Sequence, residues 1–205
     1  MKRCGFYVDG LNVYHSIDAL KQPHLKWVSY QRLANALLGQ GEDVAFVKLF
    51  TTVAEHLPES AERHRRLLRA WQAEGTICIL GHFKQKMLRC RHCRREDKRH
   101  EEKETDVCFA VELLADAYEG RLDVAYLITT DSDLAPAAKM LFERRPEVEL
   151  VAVRTPGRKH SKELLHWCHR KGSVKAAMLE VCRLDDVITD HRGRRVFCPR
   201  EYKRP

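Results

Sequence analysis

The stretch VAYLITTDSDLAP, residues 124–136, decides the fold. Five apolar residues run directly into Thr129, Thr130, Asp131, Ser132 and Asp133. A short apolar run without polar alternation is what a strand covered on both faces shows, and such strands belong to parallel sheets flanked by helices. In a parallel sheet all strands point the same way, so the residues just past each strand gather along one edge. Taken alone, Asp131 and Asp133 also fit turn residues or helix caps. The two readings separate only if other strands bring carboxylates to the same edge.

Further apolar runs at 4–8, 44–50, 76–80 and 148–153 alternate with helical patterns near 12–20, 30–38, 59–74, 105–118, 134–144 and 161–169. The intervening lengths suit right-handed crossovers, which predicts a doubly wound α/β domain with a mostly parallel sheet of about five strands and helices on both faces. In the helix at 105–118, Thr105 is the expected N-cap, and Val107, Ala110, Val111, Leu114 and Tyr118 recur at helical spacing as its expected core face. That helix leads into the strand at 124–128, so it must start at the carboxyl edge. Asp106 therefore joins Asp9, which follows the first strand, and Asp131 and Asp133 on one rim.

Convergence has an electrostatic consequence. Two unit charges ~4 Å apart repel by ~4 kcal/mol at an effective dielectric near 20, so carboxylates sharing a pocket need a raised pKa or a bound cation. A hard divalent ion, Mg²⁺ or Mn²⁺, suits an all-oxygen set, and Asn12, Thr129, Thr130 and Ser132 are placed to orient carboxylates or hold waters.

Three segments, FYVDGLNVYHS, EEKETDVCFAVELL and LITTDSDLAPAAKMLFERRPEVELVAV, resemble in order the NYN domain, a branch of the PIN-like metal-dependent nucleases, close to its LabA-like members. The resemblance covers about residues 4–169 and implies a Rossmannoid three-layer sandwich that hydrolyses phosphodiester bonds of RNA. It implies that Asp9, Asp106, Asp131 and Asp133 occupy the family's acidic metal-binding positions, with Asn12 beside the first and Ser132 within the last. Asp9 and Asp131 are then direct ligands. Asp106 and Asp133 ligate directly or through water, or one of them accepts the attacking water's proton. Six residues after Asp106 the family often has Asp; here Glu112 stands there, either reaching the metal or facing solvent.

The net charge of +8, from 37 Lys+Arg against 29 Asp+Glu, biases partners toward polyanions, nucleic acid first. The segment 84–103, KQKMLRCRHCRREDKRHEEK, reads as a basic insertion in a domain spanning 1–170, with 171–205 a basic extension packing on it or trailing from it. Lys84, Lys86, Arg89, Arg91, Arg94, Arg95, Lys98 and Arg99 in the insertion are expected to contact a phosphate backbone beside the metal. His15, His160, His166, Trp167 and His169 are further groove candidates, packed or solvated histidines being the default expectation. Cys90 and Cys93 have the gap of a zinc knuckle, with His100 as third ligand and His92, Glu101 or Cys198 as the fourth. A structural Zn²⁺ is the expectation, two unremarkable loop cysteines the alternative.

No apolar run approaches the roughly 18 to 20 residues of a membrane span, and the apolar part of MKRCGFYVDG stops at Asp9, too early for a leader. Cys4, Cys78 and Cys108 lie within strand or helix patterns as reduced thiols, so a cytoplasmic setting is expected. Oligomeric state has no signal in the sequence. A haloacid-dehalogenase-type phosphatase also places Asp after its first strand, but it needs a second Asp two residues on, where Leu11 stands. The remaining alternative to an RNA-cleaving enzyme is a non-catalytic RNA-binding module that keeps the acidic rim.

Overall fold

The computed structural model describes residues 1–89, 92–93 and 96–205, with only the backbone of Leu88, Asp97 and Arg99. Cys90, Arg91, Arg94 and Arg95, expected as zinc or phosphate ligands, lie outside the described residues. In chain order the elements are β1 (Lys2–Asp9), α1 (Gly10–Ala19), α2 (Tyr30–Leu37), β2 (Glu42–Thr51), α3 (Pro58–Ala73), β3 (Ile77–Leu80), β4 (His82–Arg89), β5 (Glu96–Lys103), α4 (Thr105–Tyr118) and β6 (Val124–Ile128). They continue with α5 (Ala135–Arg144), β7 (Glu149–Arg154), α6 (Lys162–His166), β8 (Arg170–Ser173), α7 (Ala176–Val181), β9 (Val187–Thr189) and β10 (Arg195–Phe197).

Six strands form a sheet in the order β3-β2-β1-β6-β7-β8, every pairing parallel. Strand alternation divides the core. Cys4, Phe6 and Val8 of β1 face a cluster with α1, α2, α3 and α7, while Tyr7 faces a second cluster with α4, α5 and α6. Helix, sheet and helix are thus the three layers expected. The chain reverses its winding between β1 and β6, and this switch point opens a crevice at the carboxyl edge.

Four features differ from the sequence reading. A sixth strand, β8, straddles residue 170; its sequence RKGS has no apolar residue to announce an edge strand. The basic insertion forms an antiparallel hairpin, β4 with β5, in register from His82↔Lys103 to Arg89↔Glu96. Its residues are largely exposed, so burial imposes no alternating pattern on it. On α4 the expected core face is only partly right: Ala110 and Leu114 pack half-buried against the second cluster, but Val107, Val111 and Tyr118 are 66%, 57% and 46% exposed, while Phe109, Leu113 and Ala117 are buried. This helix is apolar on two sides. Phe109 decides its rotation, because its ring packs 4.8 Å from that of Phe50 and 5.8 Å from that of Tyr7, burying more area than the valines offer. Finally, Glu104 rather than Thr105 is the N-cap, in the left-handed region at φ 78°. The Thr105 amide instead donates to Glu102 Oε1 at 3.1 Å.

Chain beyond β8 packs against the first core cluster through Leu179, Cys182, Leu184, Ile188, Val196, Cys198 and Tyr202. Among the described residues, no helix is long and apolar enough to cross a membrane.

Candidate metal centre

Asp9 ends β1 and is the N-cap of α1: its Oδ1 accepts from the Asn12 amide at 2.9 Å. Cap and rim carboxylate are therefore one residue. Its Oδ2 accepts from Thr129 Oγ1 at 2.9 Å, tying the end of β1 to the end of β6. Thr129 Oγ1 in turn accepts from the Asp131 amide at 3.1 Å, which holds the turn after β6 against the rim. Asp106 arrives from the first turn of α4. Ligand oxygens of Asp9, Asp106 and Asp131 all lie within 4.8 Å of one another, a spacing suited to one ion.

Asp9 is 7% exposed, Asp106 and Asp131 partly exposed. Burial pushes the Asp9 carboxyl up to about 6; its two hydrogen bonds oppose the shift, and repulsion from Asp106 and Asp131 adds to it. Asp106 is also raised, first by burial and then by repulsion from Asp131, Glu102 and Asp133. Repulsion of this kind is what a divalent cation relieves, and an all-carboxylate donor set favours a hard ion over zinc or copper. The residues present fit such an ion.

Asn12 is held by two hydroxyls, with Oδ1 accepting from Thr130 Oγ1 at 3.0 Å and Thr155 Oγ1 at 3.1 Å. The crevice around these groups has a volume of about 410 Å³ and is lined by Asp9, Asn12, Thr130, Asp106 and Asp131, together with His15, Glu102 and Arg158. Asp133 stands outside the close group. Its amide donates to Asp131 Oδ1 at 2.9 Å, closing a turn that leaves Asp133 and Ser132 exposed. Glu112 does not join the acidic group: partly exposed, it accepts from Lys48 Nζ at 2.6 Å, and the same ammonium pairs with buried Asp116, to which the Tyr7 hydroxyl donates at 2.7 Å. Of the histidines expected near the groove, His15 lines it. His160 bonds Gly172 O at 2.8 Å, and His169 accepts from the Leu150 amide.

Glu102 and Arg158 are absent from the sequence-derived site. Arg158 follows β7, so the rule that gathers residues past each strand had a signal for it. Glu102 ends a hairpin strand, and nothing in the sequence says where that hairpin returns. Among the zinc candidates, Cys93 is exposed and His100 stacks on His56 with ring centroids 3.8 Å apart. Cys198 is buried with its thiol donating to Pro199 O, and Glu101 pairs with Lys86 and Lys103.

The sheet is doubly wound and carries an acidic group at its switch point. The NYN domain family model matches residues 3–172, and the chain belongs to that family. It is 32% identical over 91 residues to a 6-hydroxy-3-succinoylpyridine 3-monooxygenase from Pseudomonas putida. That match takes in 43% of this chain and 29% of the relative, so the chain spans less than a third of the relative's length. A crystal structure of a Vibrio parahaemolyticus protein of unknown function superposes with a TM-score of 0.55 and 18% identity, over 85% of this chain and 94% of that one, a likeness of fold.

Proposed function

We propose that the chain is a Mg²⁺- or Mn²⁺-dependent ribonuclease that hydrolyses phosphodiester bonds of RNA in the crevice at the carboxyl edge. The observation that carries this reading is the meeting of Asp9, Asp106 and Asp131, drawn from three separate elements, within 4.8 Å. These three hold the ion. A divalent ion so placed lowers the pKa of a water and neutralises charge on phosphate oxygens. Thr129 fixes the Asp9 carboxylate, while Asn12, clamped by Thr130 and Thr155, is aimed at the crevice as a polar ligand for substrate or water. Asp133, beside Asp131, takes the proton of the attacking water. Arg158 and the exposed Lys84, Lys86, Arg89 and Lys98 of the hairpin bind the phosphate backbone.

The exposed cations of the hairpin also fit a binding module that does not cleave. Labelled RNA incubated with Mn²⁺ and the parent, Asp9→Asn or Asp131→Asn separates the two. Cleavage by the parent and its loss in both variants supports the nuclease. Binding without cleavage by the parent supports the module, and cleavage that survives both substitutions removes the assigned mechanism.

A structural Zn²⁺ at Cys90, Cys93 and His100 belongs to the same reading, supported by the two-residue gap of a zinc knuckle between the cysteines. Elemental analysis of the purified parent and of the Cys90→Ser, Cys93→Ser double variant tests it, unchanged zinc content removing the site. The placement of Cys4, Cys78 and Cys108 inside strand or helix patterns is the basis for a reducing, cytoplasmic setting.

A further inference from the structure

A second cavity, about 100 Å³, lies on the other side of Leu11 from the acidic crevice. Leu11 lines both spaces, and Thr52, in the wall of the second, shares a 3.2 Å hydroxyl contact with Thr105 in the wall of the first. Six rings line it: Tyr14, Tyr30, His64, Trp71, Phe83 and Tyr202. They come from α1, α2, α3, the hairpin and the C-terminal segment, and Tyr202 lies beyond the residues that the NYN family model matches. The rings are neutral, since burial pushes the His64 imidazole down to about 4. Thr51, Thr52 and Ser60 add hydroxyls to the lining, those of Thr51 and Thr52 already paired with His64 and Thr105. Lys26 Nζ, 3.7 Å over the Tyr14 ring, is paired with Asp18 at 2.6 Å. Tyr30 is 4% exposed and lines the cavity, and among the described residues its hydroxyl makes no hydrogen bond. That hydroxyl is free to bond the edge of a ligand.

We infer that this cavity is a nucleobase pocket, which takes one unpaired base of the nucleic acid whose adjoining phosphate lies at the Asp9, Asp106 and Asp131 group. The inference rests on the nuclease reading and deepens it by naming the substrate class. Aromatic walls stack on any base, and a single hydroxyl contacts the base edge, so recognition is broad in sequence but demands a flat, neutral heterocycle. Base and phosphate belong to one nucleotide, which explains why the ring-lined space and the acidic space share a wall. A base stacked within a duplex cannot enter without being extruded. Single-stranded or bulged RNA is therefore the substrate, cut beside an unpaired residue.

The test uses the full chain and has two arms. In EDTA, so that no cleavage occurs, a short single-stranded RNA carrying 2-aminopurine is titrated with the parent, with Phe83→Ala and with Tyr30→Phe. Stacking should quench the fluorescence in the parent, with affinity about tenfold weaker in Phe83→Ala and about threefold weaker in Tyr30→Phe. Tyr30→Phe keeps the ring, so a change there reports the hydroxyl and not the fold. In Mn²⁺, the parent should cleave the intact RNA with a KM about tenfold lower than the same RNA with one abasic residue beside the cut, and Phe83→Ala should lose that discrimination. Absent quenching, or quenching equal in all three proteins, overturns the pocket. Cleavage indifferent to the abasic residue overturns it too, and leaves the nuclease standing. Quenching sensitive to both substitutions with no cleavage in Mn²⁺ supports the pocket and removes the nuclease reading.

Discussion

Asp9 carries two demands at once, a cap for α1 and a charge in a buried corner. Its folded carboxyl titrates near 6, against 3.8 for the free side chain. A raised carboxyl contributes stability that is full below the unfolded value and lost as pH rises through about 6. In metal-free protein at pH 7, Asp9→Asn should therefore be more stable than the parent by up to about 3 kcal/mol, the gain vanishing near pH 4. Melting temperatures in EDTA at both pH values check this; a variant less stable than the parent at pH 7 would refute the buried-charge account. Lys48 presents the opposite case. It is 5% exposed and pairs with Asp116 at 1%, so Lys48→Met leaves that buried carboxylate with only the more distant Arg121 guanidinium, at 3.4 Å, and the Tyr7 hydroxyl. Urea unfolding should show a loss of about 3–5 kcal/mol, and Lys48→Met with Asp116→Asn should recover part of it. Asp9 was legible because it closes an apolar run. Lys48 was not, since a lysine inside a strand pattern gives no hint of the helix that will neutralise it.

At the scale of elements, the crevice depends on how the hairpin returns to α4. Gly81 links β3 to β4, its amide donating to Thr51 O at 2.9 Å. A Cβ there would stand 2.6 Å from Lys103 O, 2.8 Å from Thr105 Oγ1 and 2.9 Å from Thr52 Oγ1. Gly81→Ala should thus push the hairpin base off the start of α4, at a cost of about 1–3 kcal/mol. Because Glu102 and Asp106 flank that junction, Mn²⁺ affinity read by calorimetry should weaken in the same variant. Unchanged affinity and stability together would show that the junction tolerates the displacement. The sequence marked the start of α4 to within a residue, through Thr105 and Asp106. It misjudged the rotation, because Val107 and Val111 share the spacing of a buried face and only the packing of Phe109 on Tyr7 and Phe50 distinguishes the two.

Across the whole molecule, the segment after β8 is part of the packed body. Leu179, Leu184, Val196 and Tyr202 are each at most 4% exposed, and Trp71, 5% exposed, belongs to the same core cluster. Ending the chain at Ser173 uncovers that cluster along α2 and α3. The shortened protein should be insoluble or lose its cooperative thermal transition, as circular dichroism would show; a soluble product with the parent's melting temperature would mean that the extension merely rests on the domain. Such a result would also test the aromatic cavity, whose wall includes Tyr202.

By itself the sequence determined the layers, the parallel direction of the central strands and the edge where Asp9, Asp106 and Asp131 meet. These follow from continuous apolar runs and from the rule that parallel strands end together, which need only local pattern and chain direction. Tertiary structure alone decided the rotation of α4, the pairing of Glu112 with Lys48, the arrival of Glu102 and the ring-lined space beside Leu11. Each is a contact between segments distant along the chain, set by which large side chains fill the shared volume most completely. Periodicity assigns a residue to a face; only packing says what that face will meet.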